Sequence, residues 1–258
     1  MRMLVLFKVV PDLGDLAEAD WAIGPDLRPE EGYARVVINP EDESALELAL
    51  RLRDALGPGA ASLAAATVGP GRALRVCQTL KALGFDEVRR VEPLFDERFR
   101  PELVGRLLVP DGEGLDLVLA GGRSADGQNG LTAMFVAERL GWPLVTEVLG
   151  LEVAGGGALR VESLSDDGLI VQTARPPLVL AVGNAPSAFL RVPTLRERLA
   201  RGQGPVLSGE GQDGGERPLL APLGLERAVS RRDGRLLDEG GPAEKARAIL
   251  GSLREWGR

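Results

Sequence analysis

Three apolar runs, at residues 4–10, 60–68 and 115–120, each end in a loop containing Gly or Pro and give way downstream to a stretch with helical spacing. Runs of this length with little polar alternation suit strands buried on both faces, as inside a parallel sheet. Parallel neighbours need a crossover connection, and the intervening helical patterns supply it. Right-handed crossovers align the loops after the strands along one edge, where open parallel sheets bind ligands. The pattern predicts an α/β fold, a mostly parallel sheet with flanking helices.

Local signals place the other elements. Pro11 closes the first run, and a polar excursion leads to Val36, Val37 and Ile38. In Asn39-Pro40-Glu41-Asp42, Asn39 suits a helix cap, Pro40 the first turn, and Asp42 the completing position of the cap. Ala45, Leu46, Ala49, Leu50 and Leu52 then give a broad apolar face that ends at Gly57-Pro58-Gly59. A second helix is expected over 72–83, where Ala73, Leu74, Cys77, Leu80 and Leu83 recur at helical spacing and assign Cys77 to core packing. Strands follow at 87–91 and 144–148, with helices at 101–108 and 131–140. Residues 151–153, 159–164, 169–173 and 178–182 suit shorter, partly antiparallel strands added to the same sheet.

An α/β domain is expected over 1–200, and 201–258 is expected to form a linker and a carboxy-terminal partner-docking arm or helix. Six glycines mark 202–215 as the linker. Residues 242–256 suit a helix with Ala246, Ile249, Leu250, Leu253 and Trp256 on one side, to be covered by its own domain or by another subunit.

Composition narrows the chemistry. The chain of 258 residues has no His and one Cys, which excludes an internal disulfide, the usual Cys/His zinc clusters and the Ser/His or Cys/His nucleophile pairs. A formal charge of −7 argues against broad binding to nucleic acid or to anionic membranes. No run reaches a bilayer-spanning length and the amino terminus lacks a secretory pattern, so no membrane insertion and a cytoplasmic location are expected.

The most informative loop is residues 121–132, Gly-Gly-Arg-Ser-Ala-Asp-Gly-Gln-Asn-Gly-Leu-Thr, between an apolar strand and a helix. Its glycines let backbone amides approach phosphate, and the helix amino end adds unpaired N–H groups. Arg123 can contribute charge to a ligand or form an ion pair, and Ser124 or Thr132 a hydroxyl, Thr132 serving alternatively as a cap. Asp126 either orients the loop, accepts from a ribose or base, or forms a local turn with backbone N–H groups. The loops at Val9-Val10-Pro11-Asp12 and Val68-Gly69-Pro70-Gly71 adjoin it in a parallel sheet. Neither a GxGxxG fingerprint nor a Walker A sequence occurs, so binding is indicated without a reaction. No residue stands out as a catalytic acid, base or nucleophile.

Phe7-Lys8-Val9-Val10-Pro11-Asp12, the segment Val37 to Glu47, Lys81-Ala82-Leu83-Gly84-Phe85-Asp86, the loop Gly121 to Thr132, and Ala137 to Pro143 together resemble electron transfer flavoprotein beta subunits, over about residues 1–200. The resemblance implies an adenine-nucleotide-binding, Rossmann-like domain and a non-catalytic subunit that pairs with an alpha subunit. It implies AMP in this subunit, surrounded by Val9, Asp12, Asn39, Val68, Gly69, Asp126, Asn129, Gly130, Leu131 and Thr132, with FAD held mostly by the alpha subunit. Electrons would pass from flavin-dependent dehydrogenases, docked through Leu195, to a membrane quinone reductase or another acceptor. Leu195 has the alternative of packing in the first turn of its helix. A stand-alone nucleotide-binding or adenylyl-transfer protein is the other reading of the loops. The sequence departs from the family pattern at Gln128, where an acidic residue is usual, at Leu131, where Gln is usual, and at Val192, where an aromatic is usual. Loss of a side-chain amide at 131 is worth ~1.5–3 kcal/mol if that amide bonds phosphate.

Overall fold

The computed structural model describes residues 1–12, 14, 22–30, 34–109, 112–212, 220–226 and 236–256. Its elements run β1 (Arg2–Leu6), β2 (Val9–Pro11), β3 (Val36–Ile38), α1 (Pro40–Leu56), β4 (Ser62–Val68), α2 (Leu74–Ala82), β5 (Glu87–Pro93), α3 (Pro101–Leu108), β6 (Leu117–Gly121) and α4 (Thr132–Leu140). There follow β7 (Leu144–Val153), β8 (Leu159–Ser165), β9 (Gly168–Ala174), β10 (Leu178–Val182), α5 (Leu195–Arg201), β11 (Leu207–Gly211) and α6 (Pro242–Trp256). A nine-stranded sheet has the order β11-β5-β4-β1-β6-β10-β7-β8-β9, and β2 pairs separately with β3. All pairings from β11 to β7 are parallel, whereas β7-β8 and β8-β9 are antiparallel.

The apolar runs are buried on both faces, as the sequence predicts. In β1, Met3 and Val5 join one core layer with Leu46, Leu50 and Leu80 of α1 and α2. The alternate residues Leu4 and Leu6 join the opposite layer with Leu108, Val136 and Ala137 of α3 and α4. Cys77 is fully buried in the first layer. Burying each Leu or Val of these layers contributes ~1.5–3 kcal/mol, so the helices are fixed on the sheet by the alternation itself.

The structure differs from the sequence reading at four places. The first run breaks at Phe7 and Lys8, because the Lys8 amide donates to the Asp42 carboxylate (2.9 Å) and its carbonyl accepts from the Asn39 amide (3.0 Å). Val9 to Pro11 then pair antiparallel with Val36 to Ile38. The runs 144–148 and 151–153 are one strand, β7, parallel to β10 in its first half and antiparallel to β8 in its second. The wholly buried β10 lies inside the parallel sheet, between β6 and β7. Residues 207–211, within the expected linker, form the parallel edge strand β11 against β5. A side chain on Gly211 would come 2.8 Å from Val91 Cγ1, so part of the Gly content there serves close packing.

Met1–Leu223 is one compact unit and Gly224–Arg258 a second. Within the second, α6 has the predicted bounds, and Ile249, Leu250 and Leu253 are exposed. Among the described residues no helix is long and apolar enough to cross a membrane.

Candidate functional site

From β1 the chain builds the sheet outward through β4 and β5, then returns to the other side of β1 with β6. The direction reverses between β1 and β6, and the loops after these strands part there, which is where such sheets form a ligand crevice. The first turn of α1 lies against both loops.

That turn does unexpected work. Asn39 does not cap its own helix with its side chain. Instead its carboxamide spans the loop after β6, donating through Nδ2 to the Arg123 carbonyl (2.8 Å) and accepting through Oδ1 from the Ala125 amide (2.9 Å). Asp42 likewise leaves the cap and accepts from the Gly121 amide (2.6 Å) as well as from Lys8, joining the ends of β6 and β1. Burial pushes its carboxyl up to about 7, against two backbone donors that favour the charged form. Glu41 accepts from the Arg123 amide, and burial raises its carboxyl too, with repulsion from Glu147 adding to the effect. The acidic first turn thus consumes the amides at the start of the loop after β6.

Further along, Ser124 accepts from Gly127 through its hydroxyl and from Gln128 through its carbonyl, and Gln128 is held at φ +48°. Lys8 Nζ reaches Asp126 at 2.6 Å, linking the loop after β1 to the loop after β6. Burial alone would raise the Asp126 carboxyl, but the Lys8 ammonium beside it outweighs burial and holds it below the usual carboxylate range. The Asn129 carboxamide accepts from the Leu131 amide (3.1 Å), a local Asx-type turn that occupies the one donor Leu131 has. Gly130 has φ +66°, and a Cβ there would lie 3.3 Å from the Gly122 carbonyl, so the turn favours glycine. Thr132 opens α4, whose preceding residue Leu131 provides no side-chain cap. The first amides of this nine-residue helix therefore lack an intrahelical acceptor.

The other predicted residues are placed as follows. Val9 Cγ2 lies 3.7 Å from where a Cβ on Gly69 would stand, so the loops after β1 and β4 meet there. The Gly69 amide donates to the Val91 carbonyl and its carbonyl accepts from Arg90, while the buried Val68 side chain packs in the α3/α4 layer. Asp12 is turned to Arg35 (2.6 Å), whose guanidinium, with the Gly14 amide, holds the carboxyl below its usual range. Arg123 is directed to Glu41 (3.8 Å) and Glu147 (3.6 Å). Glu147 itself has φ +51° in the irregular middle of β7, a conformation costly for a residue with a side chain. Lys8, Glu41, Asp42 and Glu147 were absent from the sequence-predicted site. A lysine directly after a central strand and consecutive acids after Asn-Pro were the signals for the first three; Glu147 offers none.

A protein-family comparison supplies the decisive observation: residues 30–208 match the electron transfer flavoprotein domain. The chain belongs to the electron transfer flavoprotein beta-subunit family. It is 34% identical over 253 residues to a putative electron transfer flavoprotein subunit of Escherichia coli, covering 96% of each chain. It is 30% identical to the electron transfer flavoprotein subunit beta of Bacillus subtilis, over 87% of this chain and 88% of the other. The caffeyl-CoA reductase-Etf complex subunit CarD of Acetobacterium woodii is 30% identical over 70% and 68%. As a beta subunit, the protein is the non-catalytic, electron-carrying partner in an electron transfer flavoprotein heterodimer, working with an alpha subunit and upstream dehydrogenases.

Family membership directs attention to the segment before α5, far along the chain from the loops. Glu47 of α1, almost completely buried, takes the Arg191 guanidinium and amide and also pairs with Arg51. Asp54 takes the other guanidinium nitrogen at 2.6 Å, Glu43 accepts from the Leu190 amide, and Arg51 donates to the Ser187 carbonyl. Residues 43, 47, 51 and 54 recur every three or four positions and so share one helix face. Thr194 and Glu197 form a reciprocal capping box at α5. Leu195 is 72% exposed, which sets aside its alternative of first-turn packing, and Phe189, Val192 and Leu199 are comparably exposed.

Proposed function

We propose that the loop 122–132 and the amino end of α4 receive the phosphate of AMP, with the loops around Val9 and Gly69 beside its base and ribose. FAD lies at or near the interface with the alpha subunit and supplies the electron-carrying chemistry. Dehydrogenases dock through Leu195, and the acceptor is a membrane quinone reductase or another oxidant. The observation that carries the nucleotide reading is the uncapped amino end of α4, led into by a glycine at positive φ at the point where the sheet reverses direction.

Lys8 and Arg123, the cations at the loop, are both paired with carboxylates, and Glu41, Asp42, Asp126 and Glu147 stand within the same network. These charges are met within the protein, which supports a ligand bound mainly by backbone amides. The exposed Leu195 supports the docking reading, because an apolar side chain held out by a fixed segment has the character of an interface anchor. Mass spectrometry of small molecules released from the intact heterodimer tests the assignment. One AMP and one FAD per heterodimer are expected; two FAD, or no adenine mononucleotide, would overturn it.

A further inference from the structure

We propose that Lys8 and Asp126 form a positioning latch for the nucleotide loop, in which Lys8 acts through Asp126 and not on the ligand; this rests on the reading of 122–132 as the nucleotide loop. The Lys8 ammonium lies 2.8 Å and 2.6 Å from the two oxygens of the Asp126 carboxylate, so it engages both. Its side chain springs from a rigid base, since the Lys8 amide and carbonyl are fixed by Asp42 and Asn39.

The loop needs a hold at this point. Residues 121, 123 and 125 are gripped by Asp42, Glu41 and Asn39. Beyond Ala125 the chain turns on itself through Ser124 and Asn129, with Gln128 in the left-handed region that disfavours side chains. The Lys8–Asp126 pair reaches from the strand edge into that strained stretch and sets where Gly130 and the amino end of α4 begin. Both side chains are partly exposed, at 40% and 26%, so solvent screens the attraction and the pair matters through geometry more than through bulk stability.

A lysine that touched phosphate directly would make Asp126 its competitor, and neutralising Asp126 would tighten binding. A latch predicts the opposite sign. Calorimetric titration of AMP into the heterodimer, co-expressed with its alpha subunit, separates the two. K8M and D126N are each expected to weaken AMP binding about tenfold by releasing the loop, and K8R to stay within about threefold of wild type because it keeps a charge-assisted bond. The K8M/D126N double variant is expected to be no weaker than the worse single, since both remove one interaction. AMP binding by D126N as tight as wild type or tighter, or losses that multiply in the double variant, would overturn the latch. If the wild-type heterodimer takes up no AMP, the nucleotide reading alone fails. The latch is then decided by hydrogen exchange of peptides covering 123–131: faster exchange in K8M and D126N supports it, and unchanged exchange overturns it.

Discussion

Leu131 and Asp42 show how single side chains shape the site in ways composition does not announce. Leu131 stands at the cap position of α4 and its own amide is taken by Asn129, so it brings no hydrogen-bond donor to a phosphate. L131Q restores a side-chain amide at that spot and is expected to tighten AMP binding by about tenfold, the equivalent of one hydrogen bond to a charged group; equal or weaker affinity by calorimetry contradicts the role. Asp42 has both oxygens committed to backbone amides of different strands. D42N turns an NH2 group toward one of those amides and is expected to destabilise the protein by ~1–3 kcal/mol in urea unfolding. The pH dependence has a definite sign. The folded carboxyl is raised from 3.8 to about 7, so the folded state holds a proton the unfolded chain has released. Its contribution is fully present below about pH 4 and is lost as pH rises toward 7. Unfolding measured from pH 4 to 8 should show a shallower decline in D42N than in wild type.

Among the elements, α1 ties the two working regions of the first unit together: its first turn grips the loop after β6 and its acidic face holds residues 187–191. The helix itself was legible in Asn39-Pro40 and its apolar spacing, and so were the parallel strands in their unbroken apolar runs. What those signals could not carry was the destination of the polar groups. A carboxylate in a first turn satisfies general dipole preferences, and only the sheet order reveals that Asp42 meets Gly121 across 79 residues. The loop 122–132 stood out in the sequence through its glycines and its place between a strand and a helix, whereas the direction of Arg123 depends on Glu147, whose backbone conformation no local pattern encodes. β11 escaped for a related reason: its ladder is made by backbone, and its Gly-rich sequence has the composition of a linker. The α1 face makes its own prediction. Arg191 draws the Glu47 carboxyl below its usual range despite burial, so this contribution is present above the ordinary glutamate pKa and lost as pH falls through the lowered value. R191M leaves Glu47 with Arg51 alone; because Arg191 is itself more than a third exposed, the expected cost is only ~1 kcal/mol. Hydrogen exchange should report it more sharply, as faster exchange at Leu190 and Arg191 with the loop 123–131 unchanged.

For the whole molecule, the deciding property is dependence on a partner. The first unit has a continuous two-layered core, while α6 in the second unit exposes Ile249, Leu250 and Leu253 along one side. Three large aliphatic side chains left in water on a fifteen-residue helix forfeit ~1.5–3 kcal/mol each relative to burial, so a subunit that covers them gains a sizeable part of a stable interface. We therefore expect the chain expressed alone to bind little flavin and the chain co-expressed with its alpha subunit to form a 1:1 heterodimer with full FAD. Removal of residues 224–258 should leave the first unit folded, because its core is complete without them, but weaken the heterodimer by at least tenfold. Size-exclusion mass measurement with flavin absorbance on the single, joint and truncated preparations reads all three outcomes. Full FAD occupancy in the isolated chain would contradict the partner-dependent reading, and undiminished heterodimer formation by the truncated chain would show that α6 is covered in some other way.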